Sequence, residues 1–241
     1  MLGAKYDLND KLSVFANASR KVSFPSLRQA YANPPKKFVS NPNLTAETGI
    51  LTELGLKYQT GKLNLQPVLF YNSFENLLAK KRVADDPQKR SIRINLATAS
   101  IVGAELGYEY NPVSNIKIFG SLTYMKSEGK ESPESKVGKL EYVPEFLGYM
   151  NVRYSFANSA STQIEADYLG TQYGLNLAGT FQKIDPSVFL NLRLGWMLNI
   201  KNAAVIEVFV RCNNLLDIER IQALGLPSAG RTFIAGIKTN I

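Results

Sequence analysis

The chain has 241 residues, 45% of them hydrophobic and 20% charged, with a net charge of +8, one cysteine and no histidine. That length can bury a full core, yet no window approaches the roughly 20 apolar residues of a transmembrane helix, so a helical membrane protein is excluded. Lack of histidine removes the commonest transition-metal ligand and general base, and the lone Cys212 can form neither an internal disulfide nor a cysteine metal cluster. Enzyme readings are therefore the weakest, and no cofactor or metal site is implied. The opening "MLGAKYDLND" has no basic stretch followed by an apolar run, which points to a cytosolic protein or a piece of a longer chain. The positive charge admits nucleic acid, anionic lipid or an acidic ligand as partner.

In chain order, a partial strand near 2–7 turns at "DLND" into a strand with Leu12, Val14, Ala16 and Ala18 on one face and Ser13, Asn17 and Ser19 on the other. A long basic loop runs to about residue 46. The stretch 47–59 then alternates Ile50, Thr52, Leu54, Leu56 and Tyr58 against Gly49, Glu53, Gly55 and Lys57. It turns at "TGK" into 62–76, with Leu63, Leu65, Leu69 and Tyr71 opposing Asn64, Gln66 and Asn72, followed by the basic loop "AKKRVADDPQKR". Strand 91–110 sets Ile94, Leu96, Val102, Ala104, Leu106, Tyr108 and Tyr110 against Arg93, Asn95, Gly103, Glu105, Gly107 and Glu109. The turn "NPVSN" leads to 115–126, and the charged loop "KSEGKESPESKVGK" to strands near 142–157 and 161–173, joined at "ANSA". Three more strands are expected near 187–200, 203–213 and 230–241.

The pattern is all-β, with about eleven strands that mostly run longer than the five or six residues usual in globular sheets. Their length suits a tilted bilayer crossing, and short turns alternate with long loops as in outer-membrane barrels. Tyrosines near strand ends fit an interfacial aromatic belt. Mid-strand charges such as Glu53, Glu105, Glu165, Arg193, Glu207 and Arg211 would be ruinous in a dry core but suit a wet lumen. The expected fold is thus an antiparallel transmembrane β-barrel, with the apolar parity facing lipid. Two other classes remain: a passive porin-like channel, and a soluble β-protein binding nucleic acid. The second is disfavoured because the basic loops lack an aromatic stacking surface.

Several segments resemble the C-terminal half of the TonB-dependent outer-membrane receptors. "FANASRKVSFPSLRQAY" resembles that family's strand followed by an Arg/Phe/Pro-Ser-Leu loop, and "NPNLTAETGILTELGLKY" its "NPxLxPExxxxxELGxxY" element. "INLATASIVGAELGYEY", "YVPEFLGYMNVRYSF" and "VRCNNLLDIERIQALGLPSAGRTFIAGIKTNI" are similar to its later strands and its "NLFD … PGRTF" terminus. Ala46, Leu216 and the final Ile241 depart from residues usual in the family. The resemblance covers the whole chain as one partial barrel domain, 1–241, about half of a 22-stranded barrel with the plug absent.

It implies binding of a scarce solute, commonly a ferric siderophore, at external loops for TonB-energised uptake; a non-functional receptor fragment is the alternative. The implied partners are outer-membrane lipid and lipopolysaccharide, the plug and the other barrel half, the TonB complex and an anionic metal chelate, with no nucleic acid. Candidate chelate ligands are the loop cations Arg20, Lys21, Arg28, Lys36, Lys37, Lys80, Lys81 and Arg82. Arginine and lysine grip carboxylate, phosphate or catecholate oxygens. Solvation, or contact with lipopolysaccharide phosphates, is the competing role for these cations. Haem ligation by this chain is disfavoured because it has no histidine.

Overall fold

A computed structural model describes residues 1–31, 37–132, 136, 138–157, 159–176, 180–200 and 204–240. The strands are β1 (Leu2–Asn9), β2 (Leu12–Ser23), β3 (Phe38–Val39), β4 (Glu47–Gln59), β5 (Leu63–Arg82), β6 (Ser91–Tyr110), β7 (Ile116–Lys130), β8 (Phe146–Ser155), β9 (Ala160–Leu169), β10 (Gln172–Leu175), β11 (Phe181–Ile184), β12 (Ser187–Ile200), β13 (Ala204–Asn213), β14 (Ile221–Ala223), β15 (Leu226–Pro227) and β16 (Thr232–Asn240). One four-residue helix, α1 (Leu27–Ala30), sits between β2 and β3.

Eleven strands pair in the order β1-β2-β4-β5-β6-β7-β8-β9-β12-β13-β16, each antiparallel to its neighbours, and β3 adds to β6 in parallel. β10–β11 and β14–β15 form separate two-stranded ribbons. Short turns close one end of the sheet. Asn9 Oδ1 accepts from the amides of Lys11 and Leu12 at 2.9 and 3.0 Å, and Thr60 Oγ1 accepts from Leu63 N at 3.0 Å. Asparagine and threonine here supply the acceptor a tight reversal leaves unmet. The long connections, 24–46, 83–90, 131–145, 170–186 and 214–231, all leave from the other end.

The register keeps the two faces distinct, since a one-residue slip would exchange them. Leu54 pairs with Leu69, Leu69 with Ala104 and Ala104 with Tyr124, a continuous apolar row across four strands. That row is in the open: Leu54 is 54% exposed and Leu69 62%. Meanwhile Asn151, Asn214 and Arg220 are buried, and the buried hydrophobics among the described residues are only Ala30, Leu96, Ala99, Ile184 and Cys212. A water-soluble sheet has the opposite arrangement.

On the polar face, charges meet across strands. Glu165 accepts from Arg211 Nη2 at 2.6 Å, Gln163 Nε2 at 2.6 Å and Asn151 Nδ2 at 3.3 Å, and Arg193 pairs with Glu207 at 2.8 Å. These contacts explain how mid-strand ions are tolerated. The aromatics that break the polar pattern have a different role. Phe15 stands opposite Gly55, Phe70 opposite Gly103, Phe74 opposite Gly49 and Phe209 opposite Gly236. Each half-buried ring lies over the bare backbone of its partner, so glycine is what lets the ring lie flat.

Candidate functional site

β5 and β6 outrun their neighbours. β4 leaves β5 at the Thr48–Glu75 pair and β7 leaves β6 at the Thr98–Lys130 pair, so Leu77–Arg82 and Ser91–Leu96 project as a hairpin. Asn76 takes the left-handed conformation (φ 57°) at the branch, which asparagine tolerates better than most residues. The segment before β4 braces it. Glu47 Oε1 accepts from Leu78 N at 2.7 Å, while Asn95 Nδ2 donates to Asn76 O at 2.6 Å and Thr45 O at 3.0 Å. Thr45 N in turn donates to Asn95 Oδ1 at 2.9 Å.

Two straps flank this hairpin. On the β6 side, α1 is closed by a Ser26/Gln29 capping box, and Asn41 binds Ala30 O through its amide at 2.8 Å and Arg93 O through Nδ2 at 2.9 Å. The Arg93 guanidinium lies 4.0 Å from the Phe38 ring centre and donates to Gln29 O at 3.1 Å. On the β5 side, segment 138–145 meets Lys80 through Glu141 at 3.1 Å, and Glu131, just past β7, meets Lys81. Glu141 Oε2 also accepts from Leu175 N at 3.2 Å, tying in β10–β11. Lys139 pairs with Glu145 at 2.7 Å and sits 4.0 Å from the Tyr173 ring centre.

A cavity of about 910 Å³ opens between the straps. Phe38, Phe74, Leu77, Leu140, Tyr142 and Phe181 give it apolar walls; Lys80, Lys81, Arg82, Arg93, Lys136 and Lys139 set six cations against the two carboxylates Glu131 and Glu141. Arg82 also lines the cavity, with its Nε buried and without a hydrogen-bond partner. Such a site is of ligand size, attracts anions and offers flat apolar surface to rings.

The turn beyond Arg82 is self-contained. Asp86 accepts from Arg90 N at 2.6 Å and from Arg90 Nη2 at 2.7 Å. The Arg90 hydrogen bonds hold the Asp86 carboxyl below its ordinary pKa. The stabilisation is therefore complete above the usual aspartate range and is lost only as pH falls through the lower folded value. Asp86→Asn is expected to expose the bond after Arg90 to trypsin at neutral pH. In the wild type, acidification opens the turn only below the ordinary carboxylate range, as followed by NMR of residues 83–90 against pH.

Of the eight cations read from the sequence as loop residues, Lys80, Lys81 and Arg82 line the cavity, but they stand on β5. Arg20 and Lys21 are also on a strand, β2, and as neighbours they leave it on opposite faces. Arg20 lies opposite Ile50 on the apolar face and Lys21 opposite Gly49 on the polar one. Arg28 is exposed on α1, and Lys37 contributes its backbone carbonyl to Ser91 N at 3.0 Å. Lys36 lies outside the described residues. Missed altogether were Glu131, Lys136 and Lys139, which the sequence shows only as a charged loop, and Glu141 just beyond it. Arg93, read as lumenal, also lines the cavity.

A family model described as "TonB dependent receptor-like, beta-barrel" matches residues 1–215. Among solved structures the chain is similar to the copper transporter OprC, at 18% identity and TM-score 0.77 over 97% of this chain and 38% of that one. It is similar to the ferric-catecholate import receptor Fiu from E. coli, at 19% and 0.71 over 98% and 34% respectively. The ferric yersiniabactin uptake receptor FyuA from Yersinia pestis matches at 17% and 0.70 over 98% and 36%. At these identities the likeness is one of fold, and the chain spans between a third and two-fifths of each of those structures.

Proposed function

The chain belongs to the TonB-dependent receptor β-barrel family, and from that premise we propose that it forms part of the wall and external mouth of an outer-membrane receptor for a scarce anionic metal chelate, a ferric siderophore being the leading class. The long-loop end is the outer mouth, the apolar parity meets lipid, and the polar parity lines the lumen around a plug supplied by another segment. Energy comes from TonB acting through that segment, and this chain's contribution is binding, not catalysis.

The cavity supports the ligand class most directly: cations in excess over carboxylates, and aromatic walls. Catecholate or hydroxamate-like oxygens would accept from these donors while their organic frame covers the rings. Arg20, outward on β2 near the mouth, suits lipopolysaccharide phosphates better than the chelate.

β1 and β16 are the open edges, and in an eleven-strand antiparallel path they run the same way. An antiparallel closure therefore takes an odd number of further strands, the first of them running opposite to β16; a second copy of this chain with its long loops on the same side would meet β16 in parallel. Unpaired edges are not tolerated in lipid, so those strands belong to the remainder of the receptor.

The test is the double substitution Lys80→Gln with Arg82→Gln in the complete receptor. It is expected to weaken binding of the ferric complex of dihydroxybenzoate about tenfold, roughly the loss of one charge-assisted contact. Unchanged affinity would refute the site.

A further inference from the structure

The register of the projecting hairpin sets two cations opposite each other. Lys80 on β5 pairs with Arg93 on β6, so their side chains leave the ladder on the same face. Like charges in directly opposed positions repel, and these two are drawn apart, one toward each strap. Lys80 reaches Glu141 at 3.1 Å, while the half-buried Arg93 guanidinium lies 4.0 Å from the Phe38 ring centre and donates from Nη1 to Gln29 O at 3.1 Å. Asn41 Nδ2 holds the Arg93 carbonyl at 2.9 Å. Both cations line the cavity.

They differ in how they are compensated. Lys80 already has a carboxylate. Among the described residues no carboxylate pairs with Arg93, and its side-chain hydrogen bonds all leave from Nη1, to Gln29 O and Arg28 O. The Nε–Nη2 edge of the guanidinium therefore remains for a ligand. Two parallel N–H donors in one plane match the two oxygens of a carboxylate. The ring contact, the Gln29 carbonyl and the Asn41 bond fix this fork before a ligand arrives, which lowers the ordering cost of binding.

We propose that Arg93 reads a free carboxylate on the chelate: its Nε–Nη2 edge takes a carboxylate that is not bound to the metal, Phe38 acts as the positioning residue, and Lys80 supplies a second positive charge across the ladder. This rests on the reading that the cavity takes an anionic chelate, and adds to it the group that is recognised. Oxygens that coordinate a metal have given much of their charge to it, so a free carboxylate is the stronger acceptor. Net charge alone is then not enough for tight binding.

Dihydroxybenzoate and dihydroxybenzamide separate the two cases, since both hold iron through the same two phenolate oxygens and only the first keeps a free carboxylate. Both ferric complexes are anionic. In the complete receptor, Arg93→Lys keeps the charge and loses the fork. It is expected to weaken binding of the ferric dihydroxybenzoate complex about tenfold, and that of the dihydroxybenzamide complex less than about twofold. Phe38→Leu leaves the guanidinium in place but unsupported, and shifts the same ratio in the same direction by a smaller amount; it decides the matter alone if Arg93→Lys does not assemble. A matching loss for both complexes, or unchanged affinity for the dihydroxybenzoate complex, overturns the proposal. If the wild type binds neither complex, the anion reading itself fails. If it binds both equally tightly, that reading stands and the carboxylate preference is overturned.

Discussion

Gly103→Val is expected to prevent the sheet from assembling, seen as loss of the heat-resistant, outer-membrane-inserted form. A Cβ at Gly103 would overlap the carbonyl oxygen of Tyr124 and stand 2.5 Å from Phe70 Cζ and 3.0 Å from Met125 Cβ. The ring could turn aside, but the carbonyl is part of the β6–β7 ladder and cannot. Overpacking against backbone costs on the order of 3 kcal/mol or more. Gly107 is the internal control, since two residues further along β6 its nearest neighbours, Gln66 Cβ and O, are 3.9 Å away. Gly107→Ala should assemble normally. Equal assembly of both variants would show that the close approach of Gly103 to the β7 backbone does not limit assembly.

Arg220→Ala is expected to detach the 214–231 connection from the wall. Arg220 is 7% exposed and pairs with Asp167. Its Nη2 donates to Asp167 O at 2.7 Å and its Nε to Ser187 Oγ at 2.9 Å, and the guanidinium lies 4.0 Å from the Phe189 ring centre. It is a loop residue reaching back to two wall strands, β9 and β12. Asp167 is itself half-exposed, so the cost is mainly that of the lost hydrogen bonds to a charged group, about 1.5–3 kcal/mol. Lysine should not rescue it, because a single ammonium cannot reproduce three donors in one plane nor stack on a ring. Limited proteolysis of the intact receptor is the measurement. New cleavage within 214–231 for both Arg220→Ala and Arg220→Lys is expected, and full protection of the lysine variant would reduce the fork to a point charge.

Much of the wall was legible because lipid-facing and lumen-facing residues alternate wherever a strand crosses the apolar layer. Leu54, Leu69, Ala104 and Tyr124 carry that signal, and their pairing follows it. Beyond the layer the signal fades. β2 continues to Ser23, β5 to Arg82 and β7 to Lys130, each past the expected end, because there the backbone ladder alone defines the strand. That is why Arg20, Lys21, Lys80, Lys81 and Arg82 were expected in loops. Phe15, Phe70, Phe74 and Phe209 interrupt the polar parity, and only their glycine partners across the sheet explain them.

The cavity was the least legible part. Lys80 and Glu141 are 61 positions apart and Lys81 and Glu131 50, and neither spacing has meaning until Glu131 and Glu141 are brought beside β5. A run such as "KSEGKESPESKVGK" looks the same whether it solvates a loop or closes a binding site. The "NPNLTAE" stretch is intermediate: its place at the passage from loop to strand was visible, but the part Glu47 takes in bracing Leu78 depended on the β5–β6 projection.

The most direct test of the whole account is an equilibrium titration of the complete receptor, wild type beside Lys80→Gln with Arg82→Gln, against the anionic ferric dihydroxybenzoate complex and against a neutral ferric chelate of similar size. The account predicts about a tenfold loss for the anionic complex in the variant and no change for the neutral one. Equal affinity of both proteins for the anionic complex, or a matching loss for both chelates, would contradict it.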